Sequence, residues 1–334
     1  MFALHCKIII GPYTFSAVQD VSVKRSIRNF TETAVIRLPA SARLKTSHET
    51  NTVQTASNIK TKMPVSIQLG YNNKLQEEFK GFVSKVNLST PCEIECEGFF
   101  QPLKYTTYDE SFKSISLKNL LEYLIAPVKD SGIQLSSTIP DVHLGSFYCD
   151  KRSGTEILES LKKDYHIIAV YFRGDTLFAG LQYTDVFNEV KYSLGWNVLK
   201  SDELKFRSTD EHSIRLIMRT RKPDGTILSA TAGEGKETEI SQEELYDHVK
   251  GNSDQQTLEN LRKKGEAKLK ELTFNGYEGK ITAFLQPFAL PGDACDLLDE
   301  KFPERNGKYI INSTDVTFGR NGARRVLEIG ARVN

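Results

Sequence analysis

Metal ligation, acid–base catalysis and thiol chemistry would have to come from a short set of residues in this chain. Six histidines stand apart, at His5, His48, His143, His166, His212 and His248. None has a second histidine, a cysteine or a carboxylate at metal-site spacing. The five cysteines are Cys6, Cys92, Cys96, Cys149 and Cys295; an odd number scattered along a long chain argues against a disulfide framework and for a reducing compartment. Within the segment PCEIECEG, strand alternation puts Cys92, Ile94 and Cys96 on one face and Glu93, Glu95 and Glu97 on the other. Both thiols therefore read as small apolar side chains. Adjacent acids at Glu77-Glu78, Asp109-Glu110 and Glu243-Glu244 read as solvated surface or helix N-termini, whereas glycoside hydrolysis needs two carboxyls facing across a cleft. Arg324-Arg325 reads as surface or interface charge, not as a phosphate site. Ala232-Gly-Glu-Gly235-Lys lacks the length and the GK[ST] ending of a phosphate loop, and no GxSxG or HExxH is present. The expectation is no catalytic residue, no cofactor and no metal.

The elements that would position these residues are mostly strands. KMPVSIQLGY alternates, with Val65, Ile67 and Leu69 on one face, and FKGFVSKVNL and CEIECEGFF follow it across the turn signals Gly70, Asn72-Asn73 and Ser89-Thr90-Pro91. TETAVIRLP is an earlier strand, stopped by Pro39. Residues 40–62 are polar and predict a long exposed loop with at most a short helix. The period then changes. Leu117, Leu120, Leu121, Leu124 and Ile125 predict a helix with one buried face, and Ser153 with Glu156 is a capping box opening another. HIIAVYFRGDTLFAGLQY predicts a hairpin about Gly174-Asp175, and a second hairpin is predicted about Pro223-Asp224-Gly225. Ser241 with Glu244 predicts a short helix. Ser253 with Gln256 predicts a longer one to about Leu272, its leucines packed on the strands of the C-terminal part. Strands return from Tyr277 to Val333, with a turn at Gly319-Arg-Asn-Gly322.

Bulk properties exclude several classes. Hydrophobic residues make up 39% of the 334, enough for real cores. Lys and Arg number 44 against 43 Asp and Glu, so net charge +1 gives no bulk reason to expect nucleic acid or an anionic membrane. No run approaches the roughly 18 apolar residues of a membrane helix, and MFALHCKIIIGPYTF lacks the basic start of a signal peptide.

The two strand-rich ends resemble each other. VSIQL, FKGFVSKVNL and CEIECEG at one end parallel ACDLL, RNGKYIINSTDV and RRVLEIG at the other, with Gly81 matched to Gly307 and Gly98 to Gly330.

The last sixty residues carry a family resemblance. Gly276-Tyr277-Glu278-Gly279, Pro291-Gly292-Asp293, Phe302-Pro303-Glu304-Arg305, Gly307-Lys308-Tyr309, Phe318-Gly319 and Arg324-Arg325 with Gly330 resemble the C-terminal part of phage late control D proteins. These are baseplate hub proteins of contractile tails, and the hub half of type VI secretion spike proteins is similar. Phe79-Lys80-Gly81 and Tyr192-Ser193-Leu194-Gly195 also fit the family. Gly81, Pro291, Gly292, Gly307 and Gly322 read as fold-defining turns and close approaches.

The resemblance implies a mainly β fold with α+β parts: two related tail-tube-like antiparallel β-barrels joined by a small α/β domain. The expected division is 1–105 for the first barrel, 106–190 for the α/β domain, and 191–334 for the second barrel with a helical insertion at about 241–272. It implies a homotrimer whose six barrels adapt a sixfold tail tube to a threefold spike, in a phage, prophage or tailocin particle assembled in a bacterial cytoplasm. The implied partners are further copies of the chain, the tail tube protein, other baseplate proteins and a separate spike protein, expected because the chain stops soon after its last strand. No membrane is expected, and DNA only as passing cargo. Glu93, Glu95 and Glu97 are candidates for the channel wall. The alternatives are the hub of a type VI-like injection system, a tail-associated peptidoglycan hydrolase using Asp109, Glu110, Asp141 or His143, and a carbohydrate-binding module. The last would need exposed aromatic platforms, where Trp196 is expected within the strands.

Overall fold

The computed structural model describes residues 3–29, 32–45, 50–139, 143–164, 168–181, 188–207, 214–222, 225–233, 238–244, 254–272 and 276–333. Most of the alternating segments lie in one large, mainly antiparallel sheet of thirteen described strands. In Pro64–Tyr71 the alternation buries Val65, Ile67 and Leu69; in Cys92–Glu97 it buries Cys92, Ile94 and Cys96. The mainly β fold class with a few helices follows.

One strand order occurs twice. The N-terminal unit consists of Leu4–Ile10, Asp20–Ser26, Thr33–Leu38, Pro64–Tyr71, Lys74–Asn87 and Cys92–Glu97. Across the sheet these run second, third, sixth, fifth, fourth, first. The C-terminal unit consists of Glu189–Ser193, Val198–Arg207, Gly276–Ala283, Ala294–Leu298, Gly307–Gly319 and Gly322–Val333, and its strands run in the same order. The units differ at their first strand, which pairs with the fourth antiparallel in one and parallel in the other.

Backbone hydrogen bonds set the register of this repeat. The Val83 N–H donates to Met63 O and Lys62 N–H to Val83 O; likewise the Ile311 N–H donates to Asp293 O and Gly292 N–H to Ile311 O. Lys62 and Gly292 both have positive φ, 67° and 89°. Just beyond, both fifth strands shift register, between Val83 and Lys85 and between Ile311 and Ser313. Val83 thus corresponds to Ile311, which makes Gly81 the counterpart of Tyr309, and Gly98 that of Ala331. The glycine matches read from the sequence are out of register by two residues and by one. The reason is that each glycine answers a different local crowding. A Cβ on Gly81 would stand 2.3 Å from Glu97 O, one on Gly307 2.8 Å from the Arg332 guanidinium, and one on Gly330 2.3 Å from the Asn312 side chain.

The hairpin Gly307–Gly319/Gly322–Val333 serves both cores. Tyr309, Ile311, Leu327 and Ile329 fill the C-terminal core, while Val316, Phe318 and Ala323 enter the N-terminal one. Ser313–Gly319 also pairs antiparallel with Asp20–Ser26, which joins the units into one sheet.

Between the units lies an α/β region with its own core. Leu117–Ile125 buries Leu117, Leu120, Leu121 and Leu124, and the Ser116 hydroxyl accepts from Asn119 N–H as its N-cap. At Gly154–Asp164 the capping box forms: Ser153 N–H donates to Glu156 Oε2 at 2.7 Å and Glu156 N–H to Ser153 Oγ at 3.3 Å. Ile168–Arg173 and Thr176–Leu181 form the expected hairpin.

Three sequence readings need correction. Residues 40–62 hold a short hairpin, Ser41–Lys45 with Thr50–Gln54, before the helical turn Thr55–Asn58. Ser241 and Glu244 lie in the strand Thr238–Glu244, because parallel pairing to Ile214–Arg221 overrides the local capping pattern. The helix Asp254–Leu272 packs Leu261 against Leu216 and Met218 of this separate three-stranded sheet, not against the large one. Among the described residues no helix is long and apolar enough to cross a membrane.

Because the Cβ of a substituted Gly81 would meet backbone, relief requires strand movement. Gly81→Ala is expected to cost about 1–3 kcal/mol, read as a lower urea midpoint at unchanged slope.

Candidate functional site

Strand phase turns an arginine inward where the units meet. In Gly322–Val333 the inward positions are Ala323, Arg325, Leu327 and Ile329, and Arg325 is 0% exposed. Its Nη2 donates to Glu78 Oε1 at 2.6 Å, and Nη1 donates to the Ala289 carbonyl at 2.9 Å. The Leu285 carbonyl accepts from Nη2 at 3.2 Å, and the guanidinium lies 5.0 Å from the Phe288 ring centre. Glu78 faces inward because Lys74–Asn87 is bulged: Ile67 pairs with Phe79 but Gln68 with Glu77, leaving Glu78 as the extra residue.

The charges continue across the junction. Arg25, on the inward phase of Asp20–Ser26, has Nη1 3.8 Å from Glu78 Oε2 and Nε 3.5 Å from Glu32 Oε1. Glu32 accepts from Gly174 N–H in the turn of the α/β hairpin. Beside it Arg173 Nη2 contacts Asp293 Oδ1 at 2.8 Å, and Asp293 also accepts from Leu290 N–H at 2.8 Å. Three guanidiniums thus face three carboxylates where the two units and the α/β region converge. Burial pushes the Glu32 carboxyl above the usual range; Arg25, the Gly174 N–H and Arg173 pull it back only in part.

The motif residues of the C-terminal part gather at a second cluster. Tyr277 N–H donates to Tyr309 Oη at 3.0 Å, Tyr277 Oη to Asp299 Oδ2 at 2.5 Å, and Tyr309 Oη to Arg305 O at 3.1 Å. The Arg305 guanidinium stacks on Phe302 at 4.1 Å and on Phe206 at 4.7 Å. Burial acts to raise the Asp299 carboxyl, but hydrogen bonds from Tyr277 and the Lys301 and Phe302 N–H groups outweigh it and hold it low. Pro291 precedes the positive-φ turn at Gly292, and Gly322, φ 102°, closes the last hairpin.

Glu93, Glu95 and Glu97 share the face opposite Cys92, Ile94 and Cys96, and each meets a cation. Arg37 lies 2.8 Å from Glu93, Lys85 3.7 Å from Glu95, and Lys104, on the helix Phe100–Lys104, 3.0 Å from Glu97. The stripe is therefore charge-compensated. Asp109 contacts Lys151 at 3.9 Å in solvent, and Glu110 accepts from the neighbouring Ser111 N–H. His143 is in the strand His143–Tyr148, and Asp141 lies outside the described residues. Trp196 sits in a turn, 84% exposed, not within a strand. Burial pushes the Cys96 and Cys295 thiols far up, so neither is a ready nucleophile. Among the described residues no group of three or more His, Cys, Asp or Glu could hold a metal.

Sequence reasoning placed Arg325 at a surface or interface and Glu78 on solvated surface or a helix N-terminus, whereas both are fully buried in strands, and it missed Arg25. The available signal was phase, since Arg325 alternates in step with Ala323, Leu327 and Ile329. Two measurements test the junction. Arg325→Met alone strands Glu78 and is expected to cost about 3–5 kcal/mol, with much of the loss recovered in the R325M/E78L pair. For Glu32 the folded pKa exceeds the unfolded one, so its charged form costs stability above the folded pKa, and the cost vanishes below about 4.3. Glu32→Gln is therefore expected to match the parent in acid and gain on it as pH rises, in urea midpoints taken from pH 4 to 8.

A scan of protein-family models finds no match to this sequence, and a search of curated proteins finds none either. Solved structures do match over nearly the whole chain. The 43 kDa tail protein of prophage MuSo2 from Shewanella oneidensis aligns with TM-score 0.66 and 12% identity, over 98% of this chain and 97% of that one. A tail protein from Neisseria meningitidis gives 0.67 and 11%, over 98% and 96%. The E. coli c3393 protein, a type VI secretion component described as similar to the T4 tail proteins gp27 and gp5, gives 0.60 and 7%, over 98% and 79%. The strand order, the paired cores and the inserted α/β region of this chain therefore make up the fold of these tail and type VI proteins.

Proposed function

We propose that the chain is a structural hub protein of a contractile phage-like tail, acting by assembly with no chemical step. The observation that carries this reading is the strand order present twice in one polypeptide, on a fold shared with tail proteins. Two related barrel units per chain, about 1–105 and 191–334, give six in a homotrimer. Such a ring presents near-sixfold symmetry to a tail tube protein and threefold symmetry to a separate spike protein. The α/β region, about 106–190, and the helical insertion face other baseplate proteins. Glu93, Glu95 and Glu97 belong to the channel wall in this reading. With Arg37, Lys85 and Lys104 already engaged, that wall is hydrophilic and offers few free cations to the phosphates of passing DNA. Assembly takes place in the bacterial cytoplasm and the product sits at the particle tip. The likeness to a type VI component favours one second reading, the same hub role in an injection system.

Light scattering after size exclusion is expected to give three times the 37.7 kDa chain mass, with obligate interfaces of roughly 2,000 Å² or more per pair. A monomer at the highest attainable concentration would overturn the ring. Asp109→Ala, Glu110→Ala and His143→Ala are expected to leave assembly intact. Cell-wall clearing by the parent, abolished by one of these changes, would replace the structural reading with a hydrolytic one.

A further inference from the structure

We infer that two strand edges left open within one chain pair with each other between copies. The end of Lys74–Asn87, extended to Leu88, lies antiparallel to Val198–Arg207 of the next copy, with Leu88 opposite Leu204. This rests on the ring reading above and deepens it by naming the joint.

The template for the joint is inside the chain. Beyond Ile311 the fifth strand of the C-terminal unit pairs with the second strand of the N-terminal unit, Thr314 opposite Arg25 and Val316 opposite Val23. Val316 and Val23 are both 0% exposed. The register of the repeat carries this joint over to the other two edges. Past the shared bulge Ser313 corresponds to Lys85, so Thr314 corresponds to Val86 and Val316 to Leu88. Val23 stands opposite Ala34, which stands opposite Cys96; Leu204 stands opposite Gly279, which stands opposite Ile329. Cys96 and Ile329 in turn face the equivalent residues Val83 and Ile311. Val23 therefore corresponds to Leu204, and Arg25 to Phe206.

Both transferred edges are open among the described residues. Val198–Arg207 ends the sheet and, apart from the isolated bridge of Val198 to Leu194, pairs only with Gly276–Ala283. Beyond Val83, the N-terminal fifth strand pairs only with Cys92–Glu97. Their side chains are those of an uncovered joint. Leu88 is 86% exposed where its counterpart Val316 is fully buried, and Phe206 is 37% exposed where Arg25 is 6%. Where the internal joint sets Asp315 opposite Lys24 and Ser313 opposite Ser26, the external one sets Asn87 opposite Lys205 and Lys85 opposite Arg207; the last is a like-charged pair at the start of the joint, where Lys85 also lies 3.7 Å from Glu95. An open edge with apolar side chains recruits a strand, and the one with matching register is on a second copy of this chain. Each copy offers both edges to different neighbours, so the contact is head-to-tail, the kind that closes into a ring.

The test is a cysteine pair, L88C with L204C, oxidised in the assembled protein and run on a non-reducing gel beside the parent. Directly opposed positions have Cβ atoms about 4.5–5.5 Å apart and diagonal ones about 7–8 Å. Covalent dimers and trimers are expected from L88C/L204C, at least tenfold fewer from L88C/F206C, and none from the parent. Leu88→Asp, at an exposed position that spares the fold, is expected to weaken association at least tenfold by light scattering. A trimeric parent with no L88C/L204C cross-link, with a stronger L88C/F206C cross-link, or with unchanged association of L88D would overturn this joint and leave the ring standing. A monomeric parent with no cross-link would overturn both.

Discussion

A guanidinium with no access to water has to be matched wherever the fold puts it, and in this chain the match lies 247 residues away, between Arg325 and Glu78. Apolar alternation alone cannot set how the last hairpin sits against the N-terminal unit. A one-residue slip would expose its apolar face, but a two-residue slip would keep that face buried. The ion pair removes the second freedom. Sliding by two would leave Arg325 and Glu78 unmatched in a dry junction, and breaking such a pair costs several kcal/mol. The bulge that turns Glu78 inward and the phase that turns Arg325 inward are two halves of one device. Arg25, Glu32 and the Arg173–Gly174 turn extend it, so that the α/β region is registered against the same point.

Much of the fold was legible because its strands carry one buried and one polar face. Val65, Ile67 and Leu69, the leucines of Leu117–Ile125 and the Ser153–Glu156 box all announce their elements by local pattern. What was not legible depends on distant partners. Ser241 to Glu244 look like a helix start until Ile214–Arg221 lies alongside. Arg324 and Arg325 look alike in sequence, yet only Arg325 is in the inward phase, and nothing nearby names its partner. The repeat was visible as a succession of strands, but its register was hidden because the glycines mark local crowding and not equivalent positions. Backbone hydrogen bonds at Val83 and Ile311 supply the register that glycines could not.

The two units have kept one strand order and changed what it carries. The pair Arg25 and Glu32 corresponds by register to Phe206 and Tyr277, whose rings meet edge to face at 5.7 Å. In the N-terminal unit this place is sealed by the chain's own last hairpin, and charges there are buried against a matched network. In the C-terminal unit it is half open, with Arg305 laid over Phe206. Insertions diverge too: residues 39–63 lie between the third and fourth strands of one unit, and residues 208–275 between the second and third of the other.

That divergence bears on the structural role proposed for the chain. A catalytic site needs polar groups converging on a cavity where a substrate can enter. Here the convergent polar groups are buried against each other, with guanidiniums and carboxylates in equal number; backbone carbonyls fill the remaining positions of Arg325, while Arg25 meets Glu32 and Glu78 only at 3.5 and 3.8 Å. Four of the five thiols are buried, and Glu93, Glu95 and Glu97 each meet a cation. Among the open strand edges of the described residues are the end of Lys74–Asn87 and Val198–Arg207, with exposed apolar side chains beside them. The strand order present twice makes those two edges counterparts of the edges already joined inside the chain, which is the basis of the joint proposed between copies. In the proposed ring, alternating a made joint with an offered one would give identical chains two kinds of step. That is the property an adaptor between a sixfold and a threefold partner requires.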